Sequence, residues 1–426
     1  MTNAHSIDES HILPGTRARP SWHHRLRVTG IAGLLVLVSG CAADIITRAS
    51  VPEALVDKAS VANFEHVRYW GDASPEVYQP IVQARIAAMR KILGPGAAGT
   101  KRVINFLTLS GGGSDGAYGA GFMNGWTASG TRPKFDAVTG ISTGAMMAPL
   151  VFLGPKYDAQ LKEAYTTLTE EDVLNKQVFA AVIGAANSLA DTKPLEALIA
   201  KYTSAEMLAE IAEEYKKGRV LLIGTTNLDA QRSVIWDIGA LAASGHPDAL
   251  ALLRKIILAS GSIPGAFPPV PISVVSDGKT YEEMHVDGGV TQQVFLYPPG
   301  YTPKIVDKAM GWQAERHVYI IRNTKINPVF KATQDKLLPI AARSIATLIK
   351  TQGIGDLYRI RAVTQRDGID FNFTCVPSDF AVEAKSEFDN DYMKALYQKG
   401  YDLAKAGYTW QKEPPGFDTK SASKSP

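Results

Sequence analysis

Two strand-to-helix transitions follow one another between Val103 and Leu153, and they restrict the possible folds of this chain more than any other feature. The apolar run Val103–Leu109 predicts a buried strand and Ala117–Ser129 a helix. Phe135–Thr139 predicts a second strand and Thr143–Leu153 a second helix. Strand, helix, strand, helix in that order implies a parallel sheet covered by helices, because parallel neighbours need a crossover and the crossover helix must bury its apolar stripe on the sheet. In such a sheet both turns open at the carboxyl edge of the strands, so whatever chemistry they carry lies together.

The second turn reads Gly140-Ile141-Ser142-Thr143-Gly144. A sharp strand-to-helix turn needs glycine on either side of the serine, because side chains there would collide with neighbouring backbone. The Ser142 hydroxyl would then project beside a helix N-terminus, where the dipole and free N–H groups favour an anion. Taken alone, Ser142 could equally be a helix N-cap. The first turn, Gly111-Gly112-Gly113-Ser114-Asp115-Gly116, contains the G-x-G-x-x-G spacing of a dinucleotide site, with Asp136 at about the expected distance of 20 residues. Asp136, however, opens the second strand, whereas a ribose-binding carboxylate closes it. That strand ends instead in a serine turn. The same glycines also suit an oxyanion hole, which needs amides about 3 Å from the oxyanion of an acyl-transfer intermediate.

A serine nucleophile needs a base, and Asp287 in His285-Val286-Asp287-Gly288-Gly289 is the candidate. A carboxylate of ordinary pKa near 4 is a weak base, so Asp287 would have to be desolvated and within hydrogen-bond reach of Ser142. With the glycine loop, the Gly140–Gly144 turn, Ala259-Ser-Gly-Ser-Ile-Pro-Gly-Ala-Phe-Pro-Pro269 and Asp287-Gly-Gly289 in this order, the chain resembles the patatin-like phospholipases, and within them a branch of bacterial lipoproteins.

The resemblance implies a three-layer α/β/α fold with a mostly parallel central sheet. It also implies a Ser142–Asp287 dyad acting without histidine, an oxyanion hole from Gly111, Gly112 and Gly113, and hydrolysis of lipid acyl esters without a metal or other cofactor. Many members of the family carry Arg or Lys where this chain has Asp115. Asp115 either caps the following helix and faces away, or faces the site and opposes an anion. Triads of Ser142 and Asp287 with His317, or the pair Asp237 and His246, are further arrangements to be tested. A non-catalytic protein of the same fold that binds lipid or a partner protein is the alternative to an enzyme.

Outside these motifs, Arg25 and Arg27 precede the apolar run Ile31–Val38, which ends in Ser39-Gly40-Cys41. The run is about half the ~20 residues needed to span a bilayer. It resembles a lipoprotein signal cleaved before a lipidated Cys41, which predicts an anchor in the cell envelope; Ala42 then points to the outer membrane of a Gram-negative source. Removal of residues 1–40, which carry four arginines against two acids, would take the net charge from +3 to +1. A nearly neutral body gives no electrostatic case for nucleic acid. With Cys41 lipidated, Cys375 has no intramolecular partner. His5, His11, His23, His24 and His66 show no metal-ligand spacing.

The predicted organisation is a signal peptide over 1–40, a helical and linker segment over 41–100, the catalytic domain over 101–325, a helical extension over 326–410 and a disordered tail over 411–426. Within the extension, Leu337, Leu338, Ala341, Ile345, Leu348 and Ile349 form an amphipathic stripe that either packs on the core or faces a membrane. Val178–Ala190 reads as a lid, a wall for an acyl chain, or a buried helix. Asn227-Leu228-Asp229 reads as pocket lining or as a hairpin turn.

Overall fold

The computed structural model describes residues 48–94, 99–173, 175–176 and 190–417. The proposed signal, Cys41, nearly all of Val178–Ala190, and residues 418–426 lie outside the described residues.

The apolar runs form the strands expected of them, with shifted ends. In chain order the main sheet comprises β1 (Ser60–Val61), β2 (Arg68–Trp70), β3 (Thr100–Leu109), β4 (Ala137–Ile141), β5 (Val220–Asn227), β6 (Arg232–Asp237), β7 (Val270–Ser276), β8 (Lys279–Asp287), β9 (Trp312–Arg322) and β10 (Asp370–Cys375). Their order is β1-β7-β8-β5-β4-β3-β9-β10, and β2 joins through β6, which pairs with β5. β10, β9, β3, β4 and β5 run parallel. Beyond β5 every pairing is antiparallel; of these the sequence reading offered only the β5–β6 hairpin, as one alternative at Asn227–Asp229.

The helices that matter for the site are α1 (Pro75–Leu93), α2 (Gly116–Ala128), α3 (Thr143–Leu153), α4 (Asp158–Thr166), α5 (Lys193–Tyr202), α6 (Ala205–Lys216), α7 (Ile238–Ala243), α8 (Ala249–Gly261), α9 (Leu337–Asp367) and α10 (Asn390–Lys405). β9 shows how they make three layers. Val318 and Ile320 point to one face, where Leu357, Ile360 and Val363 of α9 cover them. Ile321 and Tyr319 point to the other face, into the larger core with Leu107, Leu109, Phe122 of α2 and Met147 of α3. The period of two along a strand thus divides one sheet between two helical layers.

α2 is rich in glycine for a packing reason. A Cβ on Gly121 would lie 1.9 Å from the Tyr397 carbonyl oxygen, and one on Gly125 2.1 Å from that of Tyr401. α10 therefore lies against bare α2 backbone.

Two expectations about the C-terminal part are corrected. The extension is not purely helical, since β10 adds a strand to the parallel edge. The tail does not begin disordered at residue 411: Gln411 exchanges backbone hydrogen bonds of 2.9 and 3.1 Å with Phe373, and Lys412 donates to Asp370 at 2.9 Å. The open edge of β10 and the Asp370 carboxylate hold it there.

Candidate active site

Ser142 directly follows β4 and precedes α3. Its φ of 55° and ψ of −124° place a non-glycine residue in left-handed territory, a strain of about 1–3 kcal/mol that persists only where the surroundings enforce it. The enforcement is visible on both sides of the turn. A Cβ on Gly140 would lie 2.4 Å from the Gly144 carbonyl oxygen, and one on Gly144 2.3 Å from that of Leu109. The Ser142 N–H donates to Ser260 Oγ at 2.9 Å, and that hydroxyl donates to the Gly224 carbonyl at 2.7 Å. Ser142 makes no side-chain cap bond to α3, so the N-cap explanation for this serine fails.

Asp287 ends β8. Its Oδ1 accepts the Gly289 N–H at 2.7 Å. Burial pushes its pKa up to about 7, although the neighbouring Ser142 side chain and the Gly289 N–H act to lower it. The Asp287 N–H donates to the Ser262 carbonyl at 2.9 Å. One short segment, Ser260–Ser262 at the end of α8, therefore grips the backbones of both residues.

The glycine loop lies against the same serine. A Cβ on Gly111 would stand 3.1 Å from Ser142 Cβ, and one on Gly112 2.4 Å from the Asn323 carbonyl oxygen. Of the three amides expected to form an oxyanion hole, that of Gly111 is already taken: its N–H donates to the Gln293 carbonyl at 3.1 Å. Among the described residues, the Gly112 and Gly113 N–H groups have no acceptor.

Asn323 clamps this loop. Its N–H and Nδ2 donate to Ser110 Oγ and Ser110 O at 2.9 and 2.8 Å, and its Oδ1 accepts the Gly119 N–H at 3.1 Å. Gln293 ties the loop to the base: besides accepting from Gly111, its Nε2 donates to Gly289 O at 3.1 Å and its N–H to Asp356 of α9 at 2.6 Å. Sequence reasoning missed Asn323, Gln293 and Asp356. Ser260 and Ser262 were inside a quoted motif, but without a role.

Asp115 neither caps α2 nor lines the cavity described below. It accepts a hydrogen bond from the Tyr392 hydroxyl of α10, and burial raises its pKa to about 6. The outward orientation was anticipated; the partner was not.

The histidine triads are not assembled. His317 pairs with Asp370 and Glu315 at 3.1 and 3.2 Å. It lies four residues back from Ile321, hence roughly 13 Å from the strand ends. Asp237 caps α7 and pairs with Arg85, while His246 packs on Phe64.

His285 is fully buried, and both its nitrogens are committed. Nε2 lies 2.9 Å from Glu283 and Nδ1 2.9 Å from Thr225 Oγ1, which also receives the Trp236 indole N–H at 2.8 Å. Burial would raise Glu283, but Arg68 and His285 outweigh it and hold the carboxyl at about 2. A carboxylate only accepts, so the His285 proton is on Nε2 and Thr225 donates to Nδ1. Burial lowers the His285 pKa and keeps the ring neutral. Asn227 Oδ1 accepts the Ala230 N–H at 3.0 Å, the hairpin-turn alternative. Among the described residues, no cluster of three or more His, Cys, Asp or Glu side chains could hold a metal, and no helix is long and apolar enough to cross a membrane.

Ser142 and Gly113 open into a cavity of roughly 790 Å³ including its mouth, lined by α3, α4, α5 and α8 and by Phe388 and Met393. Met146, Leu150, Leu198, Ile199, Ile257 and Phe267 contribute to its wall, and among the described residues none that lines it is charged. The site thus sets a strained serine near the buried Asp287, with the Gly112 and Gly113 amides, at one end of an apolar chamber.

Residues 107–298 match the model of the family described as patatin-like phospholipase. No curated protein sequence matches the chain. Among solved structures the chain is similar to VipD from Legionella pneumophila, with 13% identity over 71% of this chain and 67% of that one and a TM-score of 0.35. It is also similar to ExoU from the type III secretion system of Pseudomonas aeruginosa in its complex with SpcU, with 14% identity over 72% of this chain and 52% of that one and a TM-score of 0.31. Another structure of the type III effector ExoU gives 12% identity, 72% and 54% coverage and a TM-score of 0.31. The chain spans about half the length of ExoU.

Proposed function

We propose that this protein is a serine lipid acyl hydrolase working through a Ser142–Asp287 dyad and an acyl-enzyme, a reading supported by the match of residues 107–298 to the patatin-like phospholipase model. The observation that carries this reading is a strained Ser142 held with the buried Asp287 by one segment, Ser260–Ser262, at the end of an apolar cavity.

In the first half-reaction Ser142 Oγ attacks the ester carbonyl carbon while Asp287 accepts the hydroxyl proton. The Gly112 and Gly113 N–H groups and the N-terminus of α3 face the charge that forms on the carbonyl oxygen. Collapse of the intermediate breaks the bond to the alcohol, which leaves with the proton from Asp287. Water then attacks the acyl-Ser142 ester and gives its proton to Asp287; the bond to Ser142 Oγ breaks, the fatty acid is released, and Asp287 returns the proton to Ser142 Oγ. The apolar chamber accepts the acyl chain, and the alcohol part of the lipid stays toward the mouth. Lipidation of Cys41 and anchorage in the cell envelope, with the outer membrane as the site in a Gram-negative source, belong to the same proposal and rest on the sequence alone.

A fluorophosphonate probe should label Ser142 in the wild type and fail on Ser142→Ala, and lipids released from a mixed membrane should show free fatty acid only with the wild type. Folded wild-type protein that neither takes the probe nor releases fatty acid would favour a lipid- or partner-binding role.

A further inference from the structure

Helix α9 is mounted with its apolar side outward along its first half. From Gly353 onward the helix is buried in the core through Leu357, Ile360 and Val363. Before it, large apolar side chains are in solvent: Leu337 is 83% exposed, Leu348 69%, Ile345 42% and Ile340 45%. Leu337, Ala341, Ile345 and Leu348 recur at i, i+4, i+8 and i+11 and so share one face. The cations Lys336, Arg343 and Lys350 recur every seven residues on the opposite side. Arg343 donates to the Val329 carbonyl and Lys350 to that of Asn327, while Arg322 donates to the Lys350 carbonyl at 3.0 Å. The polar side is therefore turned toward the protein and the apolar side away from it. The connecting segment adds Phe330, 94% exposed.

The position of this face relative to the catalytic centre identifies its partner. Gln352 of α9 donates to the carbonyl of Val290, itself exposed and three residues from Asp287. On the other flank Lys325 donates to the Phe380 carbonyl at 2.6 Å, at the start of the segment that carries the cavity-lining Phe388. The exposed face thus runs between two anchors beside the site. Residues 325–352 hold five Lys and Arg against the single acid Asp335. An apolar face on a segment of net positive charge complements an anionic lipid surface: the apolar side chains enter the acyl boundary, and the excess positive charge behind them adds a longer-range attraction to the headgroups.

We infer that the first half of α9, with Phe330, is the interfacial docking surface that seats the active site on anionic phospholipid membranes. This rests on the lipid hydrolase reading and specifies which surface of the protein meets the substrate aggregate.

The test uses the full chain with Cys41→Ser, so that no acyl anchor contributes. A dye placed through Leu348→Cys should shift to the blue and be quenched by brominated acyl chains in vesicles of phosphatidylglycerol and phosphatidylcholine. Ile345→Asp with Leu348→Asp should lower fatty acid release from those vesicles about tenfold or more, while turnover of a short, monomeric ester stays at the wild-type rate. A Leu348 dye that remains in water, or unchanged vesicle hydrolysis in the double variant, overturns the inference. So does a change from dimer to monomer in that variant with vesicle hydrolysis unaffected, since the face would then seat a second copy. If neither ester is turned over while the dye still enters the bilayer, docking stands and the hydrolase reading falls.

Discussion

Ser142 and Asp287 stand at the facing ends of two strands that share one edge of β5. Ile141, the last residue of β4, pairs with Gly224, and Asp287 pairs with the next residue, Thr225. The hairpin partner β6 occupies the other edge over Leu222–Asn227, so β4 and β8 can only meet end to end. The separation of Ser142 and Asp287 is thereby set by strand register. A slip of one residue in β8 would turn Asp287 to the opposite face.

The first prediction concerns pH. Asp287 must be ionised to accept the Ser142 proton, and burial sets its pKa at about 7. Turnover of a soluble ester at low substrate should rise with pH as a single ionisation centred near 7 and level off above it. Asp287→Asn should cut the rate by roughly 10²–10⁴-fold. A pH–rate profile from 5 to 9 that is flat, or that descends toward alkali, would remove Asp287 from the role of base.

The same shift has a consequence for stability. The folded state holds the Asp287 proton more tightly than the unfolded chain, with a pKa raised from 3.8 to about 7. The stabilising effect of that shift is fully present below about 4 and is lost as pH rises through 7. Above 7 the buried charge costs about 4 kcal/mol relative to an unshifted carboxyl. Asp287→Asn should therefore match the wild type near pH 4 in urea unfolding and exceed it by a few kcal/mol at pH 8. Equal midpoints at both pH values would show that Asp287 ionises freely.

The serine turn, the glycine loop, Asp287 and the parallel strands were legible in the sequence because each is a local signal: glycine spacing, or an apolar run of strand length. Of the antiparallel half only the β5–β6 hairpin was offered, as one alternative at Asn227–Asp229; pairing Val61 with Val274 or Tyr69 with Ile235 depends on contacts across more than a hundred residues. The clamps were hidden for a related reason. Ser260, Asn323 and Gln293 act through one backbone or side-chain group aimed at a distant loop, and such contacts have no period. The Gly111 amide was misassigned because nothing near it in sequence reveals that Gln293 has already taken it. In α9 the periodicity gave the apolar side but left open whether it packs on the core or faces outward, because a stripe does not say what lies against it.

Ser260 carries a prediction that separates positioning from folding. Its buried hydroxyl links the Ser142 N–H to the Gly224 carbonyl and so opposes relaxation of the strained turn. Ser260→Ala should cost about 1–3 kcal/mol of stability. It should also lower kcat by up to about 10²-fold with KM little changed, since a shift of about 1 Å in a nucleophile has that effect. A loss confined to KM, or full activity in the folded variant, would mean the turn holds its shape without this hydroxyl.

Gly121 allows helix propensity and packing to be set against each other. Alanine is the better helix former by up to about 1 kcal/mol, so propensity alone predicts that Gly121→Ala stabilises the protein. The structure predicts the reverse: the new Cβ would lie 1.9 Å from the Tyr397 carbonyl oxygen, and a backbone atom of a packed helix does not rotate away as a side chain would. α10 must shift off α2, costing roughly 1–3 kcal/mol or more. Tyr392 on α10 would move with it and release Asp115, so fatty acid release should fall along with the unfolding midpoint. Gly130, at φ 74° with open space around its Cβ position, supplies the contrast: Gly130→Ala is strained only by its own backbone, by about 1–2 kcal/mol, and should leave activity intact. A stabilised Gly121→Ala protein would show that the two helices do not pack this closely.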